Sequence, residues 1–140
     1  MTPQFSYSHV IEADVSAAAV WALYDDVSTW PAWDVQAEWV TRESPFVTGS
    51  RGEMKFQGMD PLAYTLTRVE PEREFVDETP VGDLTVRVSH LLEPLDGGRL
   101  RLTYAAEVDG PEAESVGAAI TADFPATMAA VVAMAKERST

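Results

Sequence analysis

The chain has no cysteine, which removes disulfide frameworks, thiol nucleophiles and cysteine metal sites from consideration. Histidine is nearly as scarce. His9 and His90 fall in segments read below as separate strands, too far apart for a local zinc motif. Any metal would need carboxylates, and no calcium-loop spacing occurs, so neither a metal nor a cofactor is expected. Basic charge is also short: Lys and Arg total 10 against 23 Asp and Glu, a formal net charge of -13, with lysine only at 55 and 136. Binding nucleic acid relies on basic side chains that displace condensed counterions, so that class of partner is excluded. The same field opposes adsorption to anionic membranes, and no apolar run approaches membrane-spanning length. Met1-Thr2-Pro3-Gln4 lacks the basic start and apolar stretch of a secretory signal. The expectation is therefore a cytoplasmic protein without membrane insertion, kept soluble by its acidic surface. That surface would also suit a basic protein partner, although no local acidic run marks a docking face.

Familiar catalytic signatures are missing as well. No serine sits in a nucleophile-elbow setting, and no glycine-rich loop joins a strand to a helix for phosphates. The carboxylate pairs Asp25/Asp26 and Glu112/Glu114 lie at expected helix ends, where solvation or capping accounts for them better than a shared proton does.

What is present points to one α+β domain spanning 1–140. At 140 residues and 46% hydrophobic content, the chain can bury a real core but is too short for two ordinary domains. From Gln4 to Asp14, Phe5, Tyr7, His9, Ile11 and Ala13 alternate with mostly polar neighbours, which predicts a strand with its odd positions inward and Val10 as the exception. Ser16 then caps a helix carrying Val20, Trp21, Tyr24 and Val27 on one face, which ends near Asp25 and Asp26 because the dipole disfavours negative charge there. A short aromatic turn with Trp30, Pro31, Trp33 and Asp34 follows.

Six further strands, near 37–42, 51–57, 62–70, 72–79, 84–93 and 99–109, are separated by Gly or Pro signals, and successive antiparallel hairpins are the simplest way to join them. Asp109-Gly110-Pro111 announces a long last helix over about 112–136, whose stripe includes Ile120, Phe124, Met128 and Val131. Pro125 lies inside that pattern and should kink it.

Several of these features in this order resemble a known family. Ala13-Asp14-Val15, the cap, Val20-Trp21, Asp26 and Trp-x-x-Trp-Asp at 30–34 are similar to the opening of START-like, polyketide cyclase/dehydrase proteins (SRPBCC). Gly49 and Gly52, Val69-Glu70-Pro71, His90-Leu91-Leu92-Glu93-Pro94 and Asp96-Gly97-Gly98 extend the resemblance over nearly the whole chain. It implies the helix-grip fold of the birch pollen allergen type: a curved, seven-stranded antiparallel sheet around a long C-terminal helix, with two short helices after the first strand. It also implies a cavity between sheet and helix for a small, largely hydrophobic partner, lipid-like or polycyclic. The superfamily includes carriers, cyclases and chaperone activators, so binding or transport, proton-transfer catalysis and protein interaction all stand as readings.

Candidate site residues follow from strand parity. Leu84, Val86, Val88, His90 and Leu92 share one face, which points His90 inward as a ligand hydrogen-bonding group, a general base, or a core histidine satisfied by tyrosine or backbone. Tyr64 shares a face with Leu62, Leu66 and Arg68, and Tyr104 with Leu100, Leu102 and Val108. Each phenol suits core packing or recognition of an apolar ligand with an oxygen or two. Arg68 would pair with a ligand carboxylate or enolate, snorkel to solvent, or meet Glu78. Met54 and Phe56 add soft and aromatic wall, Ile120, Phe124 and Met128 come from the helix, and Trp30 and Trp33 form a lip or plug the core. As the resemblance has it, catalysis would mean a pocket folding a reactive polyketone while His90, Tyr64, Tyr104 or Arg68 assists enolisation or dehydration.

Overall fold

The computed structural model describes residues 4–34 and 36–139. Met1–Pro3, where the sequence was read for a targeting signal, lie outside the described residues. Seven strands form one antiparallel sheet: β1 (Phe5–Ala13), β2 (Ala37–Val40), β3 (Arg51–Phe56), β4 (Leu62–Glu70), β5 (Glu74–Val81), β6 (Leu84–Pro94) and β7 (Leu100–Asp109). Strands β2 to β7 run as a meander, and β1 pairs with β7, giving the order β1-β7-β6-β5-β4-β3-β2. Only β1 needs a long-range partner; every other pairing is a hairpin. The helices α1 (Ala17–Asp25) and α2 (Trp30–Trp33) separate β1 from β2, and α3 (Ala113–Thr121) and α4 (Phe124–Arg138) close the chain. This is the helix-grip architecture.

Local chemistry accounts for the element boundaries. Ser16 Oγ accepts from Ala19 N at 3.1 Å, satisfying one of the unpaired donors that begin α1. Asp26 ends that helix and starts the next turn, its Oδ1 accepting from Ser28 N at 3.1 Å. β1 alternates as its sequence predicts, with Val10 turned outward at 49% exposure. The expected long C-terminal helix is present over Ala113–Arg138 and is interrupted once, at Ala122 and Asp123, which keep right-handed backbone angles. Helical structure stops after Thr121 and resumes at Phe124, which leaves Pro125 in the first turn of α4. A proline there lacks an N–H that would go unpaired anyway, so the irregularity expected at Pro125 falls just before it, as a break between α3 and α4.

The stretch Ala113–Arg138, 26 residues with mean hydropathy 1.5 in its best window, is long and apolar enough to cross a membrane. That corrects the expectation of no such segment, which counted uninterrupted apolar residues and passed over a helix made apolar by alanine. In this fold its buried side chains are taken up by the protein: α3 packs on β7 and β1, and α4 on α1 and α2. Gly117 makes the first contact possible, since a Cβ there would stand 2.3 Å from the Phe5 ring.

The concave sheet face carries the core and the convex face carries charge. Arg87 reaches Glu78 at 2.9 Å and Glu107 at 3.5 Å, and Arg101 meets Glu12 at 3.1 Å, so much of the scarce positive charge stands outside.

Candidate functional site

Between the concave face, α2 and the two C-terminal helices lies a cavity of about 600 Å³. Met54, Phe56, Val88 and Trp30 supply apolar wall from one side, and Ile120 and Phe124 from the other. Trp30 and Trp33 are walls rather than an exposed lip, at 6% and 2% exposure. Their indole N–H groups are committed to the turn: Trp30 Nε1 donates to Tyr24 O at 3.1 Å and Trp33 Nε1 to Thr29 Oγ1 at 3.2 Å. Asp34 caps the turn that follows, its Oδ1 accepting from Gln36 N at 3.1 Å.

Polar groups gather on three neighbouring strands. His90 pairs in register with Phe75 on one side and Tyr104 on the other. Its ring stacks on Phe75 at 3.8 Å and 8°, and meets the Tyr104 ring edge-on at 4.6 Å. His90 Nδ1 lies 3.3 Å from Phe75 O. A carbonyl oxygen only accepts, so Nδ1 carries the proton and Nε2 presents a lone pair. Burial pushes the imidazole down to about 3, against the pull of the Phe75 carbonyl, so the ring is neutral at physiological pH. Tyr24 donates to the Tyr104 hydroxyl at 3.3 Å, and burial raises both phenols.

Two residues that the sequence reading did not single out complete the group. Asp77, on β5, lines the cavity at 7% exposure, and its Oδ2 is 3.9 Å from His90 Nε2, beyond hydrogen-bond distance. Among the described residues it has no hydrogen-bond partner. Burial, with the charge of Asp34 added, raises its carboxyl to about 7. Two residues along the strand, Thr79 is buried and its Oγ1 has no hydrogen-bond partner among the described residues. The signal for both was the β5 sequence itself: Phe75, Asp77, Thr79 and Val81 share one parity, beginning and ending with apolar residues.

Three expected wall residues stand elsewhere. Arg68 lies on the outer face, 2.6 Å from Glu70 and 2.8 Å from Glu74, and Glu78 is taken by Arg87. The reason is a β-bulge between Leu66 and Arg68, where the extra residue reverses the parity of the strand beyond it. Tyr64 is inward but sits beside the cavity rather than in its wall: its ring covers Gly52 and its hydroxyl donates to Thr41 O at 2.6 Å. Met128 is fully buried in the core. His9, half-buried opposite Tyr104 on β1, is also outside the wall.

The cavity is therefore apolar with a cluster of polar groups at one place. Asp34 and Asp123 also line it, and burial together with the Asp123 charge raises the Asp34 carboxyl. No lysine or arginine is among the described lining residues, and these hold no cluster of His, Asp and Glu suited to a metal.

Comparison with known proteins places this site in context. A hypothetical protein of Helicobacter pylori superposes with a TM-score of 0.82 at 17% identity, covering 95% of this chain and 89% of that one. Norcoclaurine synthase from Thalictrum flavum, solved with dopamine and hydroxybenzaldehyde, gives 0.74 at 15% identity over 95% and 87% of the two chains. Ara h 8.0201 gives 0.75 at 10% identity over 95% and 98%. These likenesses establish the shared fold. No curated protein sequence matches the chain. The profile of one family, described as polyketide cyclase / dehydrase and lipid transport, matches residues 4–139, and the chain belongs to that family.

Proposed function

We propose that this protein binds a small, largely apolar molecule in the cavity between its sheet and C-terminal helices. The observation that carries this reading is the open space of about 600 Å³, walled by apolar side chains and provided with polar groups at one place. A volume of several hundred Å³ with few, convergent polar groups is typical of small-molecule sites. The family description, which joins cyclisation chemistry with lipid transport, supports it, as does a structural neighbour that holds two small aromatic molecules. A filled interior would have favoured an interaction module instead.

The test is native mass spectrometry of protein purified from its own host, with thermal shifts against a lipid and polyketide panel. A retained mass, or an upward shift abolished by the cavity-filling Ile120→Trp, is the expected result. Absence of both overturns the reading.

A second reading, proton-transfer catalysis, is favoured by the convergence of Asp77, His90 and Tyr104 on adjacent strands. Asp77, tuned near neutrality, would take a proton from carbon next to a carbonyl, and the Tyr104 hydroxyl would stabilise the enolate oxygen. His90 is too weak a base for that task. Turnover of a polyketone with a pH profile rising through about 7, lost in Asp77→Asn, would support it.

A further inference from the structure

The cavity wall has a chemical bias that narrows the ligand class. This inference rests on the ligand-binding reading above. Asp34, Asp77 and Asp123 face the cavity, and no described lining residue is a lysine or arginine. Asp77 is more than nine-tenths buried and has no hydrogen-bond donor among the described residues. Beside it, Thr79 Oγ1 is buried and unpartnered. His90 turns an unprotonated Nε2 towards Asp77 because its proton is held on Nδ1 by Phe75 O. Two acceptors and one hydroxyl thus stand together, and no described residue donates to Asp77.

We propose that the cavity selects ligands whose apolar body carries a protonated amine, held by the Asp77 carboxylate with His90 Nε2 and Thr79 Oγ1 as further acceptors. An ammonium group offers several donors and the charge that this wall lacks. A buried carboxylate left without a partner is costly, and a charge-assisted hydrogen bond from the ligand relieves that cost. Anionic amphiphiles such as fatty acids are disfavoured for the converse reason: they would enter a cavity lined by acidic groups with no cation to meet them.

The other groups acting on Asp77 do not change this sign. Asp34, beyond α2, is acidic, Tyr64 on β4 and Tyr104 on β7 are raised phenols, and His90 is neutral. Since the Asp77 carboxyl must be ionised to hold a cation, amine affinity should climb as pH rises towards and through about 7.

The test uses a matched series of decylamine, 1-decanol and decanoate, titrated calorimetrically into the full chain between pH 5.5 and 8. The amine should bind at least tenfold more tightly than the alcohol at pH 7.5, with decanoate weakest. Amine affinity should fall severalfold on acidification to pH 5.5 while alcohol affinity stays level. Asp77→Asn should reduce the amine to no more than the alcohol's affinity and abolish the pH dependence of amine binding. Equal affinities, a preference for decanoate, or an amine preference that survives Asp77→Asn overturns the proposal. So does amine binding that persists in Ile120→Trp, because that would be adsorption to the acidic surface. A molecule retained from the host that lacks a basic nitrogen would leave ligand binding standing and remove this inference alone, whereas absence of any retained or binding molecule removes both.

Discussion

Asp77 Oδ2 and His90 Nε2 face each other from adjacent strands at 3.9 Å, yet they are not an ion pair at neutral pH. Burial raises the carboxyl to about 7 and lowers the imidazole to about 3, so the same dry surroundings work against both charges. Each shift makes stability depend on pH, in different windows.

For Asp77, the folded carboxyl titrates at about 7 and the free one at 3.8. Below pH 4 both states hold the proton. Between about 4 and 7 the unfolded chain releases it first, so stability falls as pH rises through that window. Asp77→Asn removes the dependence and should be more stable than the parent by about 4 kcal/mol at pH 8, the advantage shrinking towards pH 4. Urea unfolding at a series of pH values reads this directly. An advantage that is constant with pH would show that the carboxyl is not buried as described.

For His90, the folded ring resists protonation that the unfolded ring accepts below about pH 6.5. Stability contributed by its neutral form is therefore lost on acidification below that point. Nitrogen-resolved NMR should show a neutral ring with the proton on Nδ1 at pH 5, where an unperturbed histidine would be charged. A signal titrating near pH 6.5 would contradict the buried stack on Phe75.

Tyr64 and Arg68 provide a contrast with the wall residues. Tyr64→Phe removes the hydrogen bond to Thr41 O and should cost about 1 kcal/mol of stability with no change in ligand affinity. Gly52→Ala should cost more, about 3 kcal/mol, because its Cβ would stand 2.1 Å from Thr41 O and 2.6 Å from the Tyr64 hydroxyl. Arg68→Ala, on the outer face, should change stability by less than about 1 kcal/mol and affinity not at all. Thermal unfolding and any binding assay separate these outcomes.

Thr29 holds the aromatic turn. Its Oγ1 lies 2.8 Å from both Leu23 O and Asp26 O, between which its one proton is shared, and accepts from Trp33 Nε1. Thr29→Val keeps the shape but removes these bonds, at a cost of about 2 kcal/mol, and should shift the tryptophan emission as Trp33 loses its bond. Unchanged emission and stability would mean that packing alone positions the ring.

Much of the fold was legible because local rules and tertiary structure agree. The β1 alternation, the Ser16 cap and the glycine- and proline-marked hairpins each led to the element observed. Parity counting failed for Arg68, since it assumes an uninterrupted ladder and a bulge leaves no mark in composition. It was not applied to β5, where Glu74 and Glu78 give the strand the look of a solvated surface and hide the Phe75-Asp77-Thr79 face. His90 was found by parity, but its proton affinity depends on how completely its neighbours exclude water. The division at Ala122 and Asp123 was signalled by Pro125, whose geometry permits either a kink or a fresh start.

That division has a consequence for how such a cavity diversifies. One rod, α3, brings Val116, Ala119 and Ile120 to the ligand space and rests on the sheet through Gly117, while the other buries Met128 and Val131 in the core. The start of the second rod also reaches the chamber through Phe124 and Thr127, so only the α3 positions Val116, Ala119 and Ile120 line it without belonging to the rod that carries Met128 and Val131. Exchanges at those three α3 positions would retune the shape of the chamber while the buried Met128 and Val131 stay in place, so one scaffold can take new ligands by small steps.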